Sequence, residues 1–244
     1  MPVVLGRNSF IKIGEEVTWG SAVSTTVSNR IISTTLQRSQ ERNQTTFLST
    51  GSAAFSQGFF DGMELCGGSI DVPVMYEGSG MLIYGAVGSY SDLGTGPYTH
   101  IYTPSSDLPS LTIELMRGSS QVEIFEGCIV NTMTLSVEAG GEMTASFDII
   151  SQTAQARSGT VASSFGDGRQ ILHFEASTLN FNSINYSLRS MEFSLDNKIT
   201  RRDLLGSKLT AQPLVTDIRE ISLTATLDLE DNNLYNAQLA GTQG

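Results

Sequence analysis

The chain reads as a mainly β protein, a β-sandwich with one or two short helices and long loops, on three observations. Polar and apolar residues alternate with period two through long stretches, β-branched residues are dense in them, and Gly, Ser, Asn or Asp interrupt them at short intervals. Its 244 residues are enough to bury a sizeable core and are taken as a single domain, 1–244.

The opening "MPVVLGRNSFIKIG" lacks the basic start, apolar stretch and cleavage site of a secretory signal. The longest nearly apolar run, "MLIYGAVG" from Met81, is far below the roughly 20 residues of a membrane helix. A soluble protein made in the cytoplasm is expected. A long hairpin is predicted over 30–76, running out through 30–48 and back through 58–76 around the small-residue loop "STGSAAFSQG". On its return arm Ile70, Val72 and Val74 point inward, leaving Ser69, Asp71 and Pro73 on the polar side. Pro73 lacks a ladder donor and marks a strand end or an edge. In "YEGSGMLIYGAVGS" the alternation breaks, and Met81, Leu82 and Tyr84 to Ala86 predict a short helix over 78–88. Its glycines mean that packing must hold it.

Sandwich strands are expected over 98–230, the clearest pair being 128–138 and 142–150. Ile129, Met133, Leu135 and Val137 share one face, opposite Thr132, Thr134, Ser136 and Glu138. Met143, Ala145, Phe147 and Ile149 then alternate with Glu142, Thr144, Ser146 and Asp148, and "AGG" at 139–141 suits a tight turn. After a polar stretch at 152–168, Met191, Phe193 and Leu195 alternate with Glu192, Ser194 and Asp196, and Ile221 to Leu229 repeat the pattern. A C-terminal helix is predicted over 231–240, with Asp231 or Asn232 as N-cap.

Fourteen basic against twenty-five acidic residues give a net charge of −11, which disfavours a clamp for nucleic acid but not a conduit. The sequence carries no HExxH, Walker A, GxSxG or Cys/His quartet, and no cofactor is expected. His100 and His173 lie in separate strand-like segments and read as structural; Cys66 and Cys128 read as buried reduced thiols. Glu138, Glu142 and Asp148 on one face raise the possibility of a glycoside-cleaving acid pair, but the face lacks aromatic platforms and polar amides. The run Lys198, Arg201, Arg202 and Lys208 has no interleaved aromatics and reads as a solvated loop or a contact to an acidic neighbouring subunit.

Four stretches in order, "IKIGEEVTWGSAV" (11–23), "YEGSGMLIYGAVGS" (76–89), "YTHIYTPSSDLPSLTIELMRG" (98–118) and "GCIVNTMTLSVEAGGEMTASFDIIS" (127–151), with "LEDNNLYNAQLAGT" (229–242) behind them, resemble the tail tube proteins of bacteriophages with long, non-contractile tails. The resemblance implies a non-enzymatic virion protein. It implies that six subunits form a ring, that rings stack into the tail tube, and that the inner sheets join into a closed barrel through which double-stranded genome DNA enters the host. It further implies assembly in the host cytoplasm on a tail-tip initiator, with a tape-measure protein and a tail terminator as partners and no membrane binding.

With alternation, this makes Asp71, Thr134, Glu138, Glu142, Ser146 and Asp148 lumen candidates, either face of any single strand remaining open. A hydroxyl and carboxylate lining, nearly free of Lys and Arg, offers DNA phosphates no cation to stick to. The loops 14–29 and 43–58 are expected to stay mobile until a neighbouring ring orders them, with Glu15, Glu16, Trp19, Thr45, Phe47 and Phe55 as inter-ring candidates. The resemblance also leads one to expect further strands after the last helix, where this sequence stops at Gly244.

Three rivals make distinct demands. A secretion-system tube would share the ring-forming sandwich but not these stretches. A carbohydrate-binding or baseplate adhesin jelly roll would cluster exposed aromatics at a cleft, whereas Trp19, the only tryptophan, sits in a loop. A glycoside hydrolase would need two carboxylates at working separation.

Overall fold

The computed structural model of the chain describes residues 9–45, 58–94, 99–118, 121–159, 161–163, 165, 170–176, 179–181, 184–227 and 235. Strands β1 (Phe10–Glu15), β2 (Val27–Arg30), β3 (Ser33–Thr34), β4 (Gln37–Thr45) and β5 (Gly58–Pro73) precede the helix α1 (Gly80–Val87). Next come β6 (Gly88–Leu93), β7 (Thr99–Pro104), β8 (Leu111–Arg117), β9 (Gln121–Glu138), β10 (Thr144–Ser151) and β11 (Thr153–Ser158). The last are β12 (Leu179–Phe181), β13 (Ile184–Tyr186), β14 (Leu188–Asp196), β15 (Ile199–Arg202), β16 (Ala211–Val215) and β17 (Glu220–Leu227). The protein is mainly β, consistent with a β-sandwich.

Strand β9 organises the molecule because its halves serve different ladders. Residues 121–128 pair with β8 and β11, and β8 pairs onward to β1 and β2. Residues 129–138 pair with β10 on one side and β14 on the other, extending to β5, β3 and β4 in one direction and to β17 in the other. All these pairings are antiparallel, so each strand can set an apolar face inward and a polar face outward. One core joins the ladders: Ile11, Ile13, Ile113, Leu115 and Phe125 from the first meet Ile70, Val72, Met133, Phe147 and Leu195 from the second. Helix α1 adds Leu82 and Ala86 to it. Buried Asn197 fastens that helix, its side-chain amide donating to the Ala86 carbonyl at 2.9 Å and the Val130 carbonyl at 3.0 Å.

Three expectations are corrected. Ile129 does not share the face of Met133: Asp148 pairs with Thr132 but Ile149 pairs with Val130, so Asn131 is an extra residue that flips the parity beyond it. Ile129 therefore lies opposite Ile150, and Val130 takes the core position. The second correction concerns 14–29, which is not one loop. Its ends belong to β1 and β2, and the connection is tied down by Glu16 N–H to the Ser110 carbonyl at 2.8 Å, Thr26 N–H to the Ile13 carbonyl at 3.1 Å and Val23 N–H to the Thr112 hydroxyl at 3.1 Å. The loop expected over 43–58 begins instead inside β4, which runs to Thr45; its 46–57 part and the helix expected over 231–240 lie outside the described residues, Tyr235 excepted.

Candidate functional site

Antiparallel register brings polar side chains from strands distant in sequence into rows on one face of the second ladder. The longest row crosses six strands: Ser222, Ser194, Thr134, Ser146, Asp71 and Ser33, from β17 through β14, β9, β10 and β5 to β3. On one side of it run Glu220, Asp196, Thr132, Asp148 and Ser69; on the other run Thr224, Glu192, Ser136 and Thr144, then Thr226, Ser190 and Glu138. These rows contain six carboxylates and no lysine or arginine.

The hydroxyls and acids bond one another along the rows. Asp71 accepts from the Ser146 hydroxyl at 2.6 Å and from that of Ser33, and the Ser136 and Thr144 hydroxyls lie 3.0 Å apart. Burial pushes the Asp148 carboxyl up, opposed by a hydrogen bond from Asn131. At the far edge Lys198, from the turn after β14, reaches Asp196 at 2.6 Å and Glu220 at 2.9 Å; these two acids raise the lysine and it lowers Asp196.

Five of the six residues singled out from sequence, Asp71, Thr134, Glu138, Ser146 and Asp148, fall in these rows. Glu142 does not: it precedes β10, is exposed, and bridges to His173. Glu192, Ser194, Asp196 and the β17 residues were missed. Their alternation was visible, but the register that sets β14 beside β9 was not. Asp148 lies opposite Thr132, six residues along β9 from Glu138, about 20 Å at strand spacing. That exceeds the roughly 5–10 Å of a glycosidase pair.

The inter-ring candidates separate as well. Glu16 is buried, and its carboxylate accepts from Gly20 N–H (2.9 Å), the Ser110 hydroxyl (2.5 Å), the Thr112 hydroxyl (2.8 Å) and Gly127 N–H (2.9 Å), fastening the loop within the subunit. Trp19 is half-buried beside Gly127. Exposed Glu15 accepts from the Tyr84 hydroxyl at 2.8 Å. Thr45 ends β4, and Phe47 and Phe55 lie outside the described residues.

Glu15 and Tyr84 also belong to an open groove of about 480 Å³ beside the start of α1, which gathers Tyr76, Tyr90 and Tyr102 with Met75 and Ile83. Of the cationic run, Arg201 donates to the Glu64 carbonyl at 2.8 Å and Lys208 to Asp61 at 2.8 Å, while Arg202 is exposed. Both cysteines are buried free thiols; burial pushes Cys66 up to about 12 and Cys128 up as well. Among the described residues no group of three or more His, Cys, Asp and Glu is placed to hold a metal ion, and no helix is long and apolar enough to cross a membrane.

A family model described as phage tail tube protein matches residues 6–244, nearly the whole chain. The chain belongs to the phage tail tube family. That assigns it a structural part in the virion's tail and self-assembly into a tube as its expected behaviour. Comparison with curated proteins found no match.

Proposed function

We propose that the chain is the repeating subunit of a non-contractile phage tail tube, six copies to a ring, with the polar rows of the second ladder facing the lumen. The observation that carries the reading is the six-strand row of hydroxyls and one carboxylate from Ser222 to Ser33. Such a lining offers a passing duplex hydroxyls and like charge but no cation to grip its phosphates, so the polyanion slides without counterion-releasing contacts.

The edges support closure. At one end of the ladder, among the described residues, β17 pairs with β14 alone, and its apolar side chains Ile221 and Leu223 stay 51% and 53% exposed. A strand with free backbone groups and uncovered apolar residues favours pairing with another chain. Joining it to the β3 and β4 edge of the next subunit would bury both and close the sheets into a barrel. The subunit does no catalysis in this role. It polymerises on a tail-tip initiator in the host cytoplasm, around a tape-measure protein, until a terminator stops growth.

The test is negative-stain electron microscopy of the whole chain over a concentration series, with and without the initiator, and light scattering on the same samples. Rings or hollow tubes are expected. A chain that stays monomeric on a competent initiator would end the tube reading.

A further inference from the structure

We infer that Lys198 is an electrostatic latch that holds the edge strand β17 on β14, and so keeps the free edge of the second ladder in place for a neighbouring copy. The role of that edge in joining copies rests on the tube reading; the latch itself rests on one turn and the two acids beside it.

Register creates the demand. Asp196, the last residue of β14, lies directly opposite Glu220, the first of β17, so two carboxylates face each other across the ladder. Opposed residues on paired strands have Cβ atoms about 5 Å apart, and like charges at that spacing push the strands apart. Little else in β17 resists this. Among the described residues it pairs with β14 alone, and Ile221 and Leu223 are half exposed, so burial contributes little. Arg219 ties down the chain just before the strand, donating to the Val87 and Ser105 carbonyls at 3.3 and 2.8 Å, but those bonds leave the two acids uncompensated.

Lys198 supplies the missing charge. Its ammonium lies 2.6 Å from the Asp196 carboxylate and 2.9 Å from that of Glu220. One cation shared by two acids turns a repulsion between the strands into a bridge. An isolated exposed ion pair contributes little to stability. Here, however, loss of the cation leaves two carboxylates opposed on adjacent strands, which is worse than the loss of a bridge alone.

The backbone shows that the position is held for its side chain. Lys198 has a φ of +53°, the one positive value outside glycine among the described residues. Glycine would take that conformation freely, whereas a lysine is strained there, and strain that persists points to a use. The turn is fixed around it. Lys198 N–H donates to Asp196 Oδ1 at 2.9 Å, its carbonyl accepts from the Thr216 N–H and hydroxyl, each at 3.0 Å, and Ile199 N–H donates to the side-chain oxygen of Asn131 at 2.9 Å. A stem that starts from a fixed turn loses less freedom in reaching both acids than one on a mobile loop.

The test compares amide hydrogen exchange of the unassembled whole chain in wild type, in Lys198→Met and in the triple variant Lys198→Met, Asp196→Asn, Glu220→Gln. Asp196→Asn keeps an acceptor for the backbone N–H of residue 198. In Lys198→Met, exchange across 220–227 should quicken roughly three- to tenfold while 132–138 and 144–150 keep the wild-type rate. The triple variant, with no charges left to oppose, should return to within about twofold of wild type. Exchange across 220–227 that Lys198→Met leaves unchanged overturns the latch. So does a triple variant as fast as the single one, because the lysine would then act through something other than charge. Quickening spread over the whole chain overturns it too, since a latch frees one strand. Electron microscopy of tubes grown on a tail-tip initiator separates the latch from the tube reading. Fewer tubes from Lys198→Met than from wild type are expected; equal numbers beside the quickened exchange keep the latch and remove β17 from the contact between copies.

Discussion

Asp148 pairs with Thr132 across β9 and β10, where neighbouring side chains desolvate its carboxyl. Burial raises its folded-state pKa, and the hydrogen bond from Asn131 only partly offsets this. The unfolded chain therefore releases this proton at a lower pH than the folded one. Stability is lost as pH rises from the ordinary aspartate value, about 4, through the raised one, and at neutral pH the folded state bears the full cost. Asp148→Asn removes the charge but keeps the shape. It should raise the melting temperature at pH 7, and the gain should shrink at pH 3, where the wild-type carboxyl is protonated in both states. Thermal melts at the two pH values check this; a gain of equal size at both would contradict the burial argument. A carboxylate that burial disfavours serves something other than the subunit's stability, and the acidic lining proposed above would be such a purpose.

Strand β5 shows what an element needs beyond alternation. It pairs with β4 along 58–67 and with β10 along 66–73, and the change of partner falls at Gly67 and Gly68, with φ of +145° and +141°. A Cβ at Gly68 would stand 2.6 Å from the Thr35 carbonyl oxygen, and one at Gly67 would stand 2.4 Å from that of Ile149. Ile149 is held in the β10 ladder and Thr35 N–H is bonded to the Ser69 carbonyl at 2.9 Å, so neither backbone can retreat freely. Gly68→Ala should cost roughly 3 kcal/mol of unfolding free energy, measured by urea titration, because it combines a disallowed φ with a backbone clash. A loss under about 0.5 kcal/mol, the size of an ordinary surface change, would mean that the strand relaxes there. The change of partner was not legible, since Cys66, Gly68 and Ile70 keep the period of two through it. The hairpin of β9 and β10 was legible because Ala139 to Gly141 punctuate a run whose alternation is local. Ile129 was placed on the wrong face because a bulge at Asn131 is a property of the pair of strands and leaves no mark in either alone. For the same reason the polar side of β14 could be seen but not joined to that of β9. The groove was hidden further still, its Tyr76, Tyr84, Tyr90 and Tyr102 converging with Glu15 only through tertiary packing.

At the scale of the molecule the net charge of −11 does not choose between a protein that merely avoids nucleic acid and one that conducts it. Placement fits the conduit proposed above: six carboxylates share one sheet face without a lysine or arginine in its rows, and Lys198 at the edge is held by Asp196 and Glu220. At physiological salt charges are screened over about 8 Å, so a lining repels DNA only where the duplex passes close to it. Glu138 and Glu192 are both exposed and occupy adjacent rows on adjacent strands, so their reversal changes the face without disturbing the core. The double variant Glu138→Lys, Glu192→Lys should still form tubes. Repeated around every ring, the new cations should hold duplex DNA by counterion release, with binding that weakens steeply as salt rises. Labelled DNA cosedimenting with variant tubes at low salt and released at high salt, together with slower genome ejection from particles bearing the variant, is the expected outcome. Normal tubes whose DNA passage ignores the reversal would place this face away from the lumen, because a wall in contact with a polyanion cannot exchange its acids for lysines without retarding it.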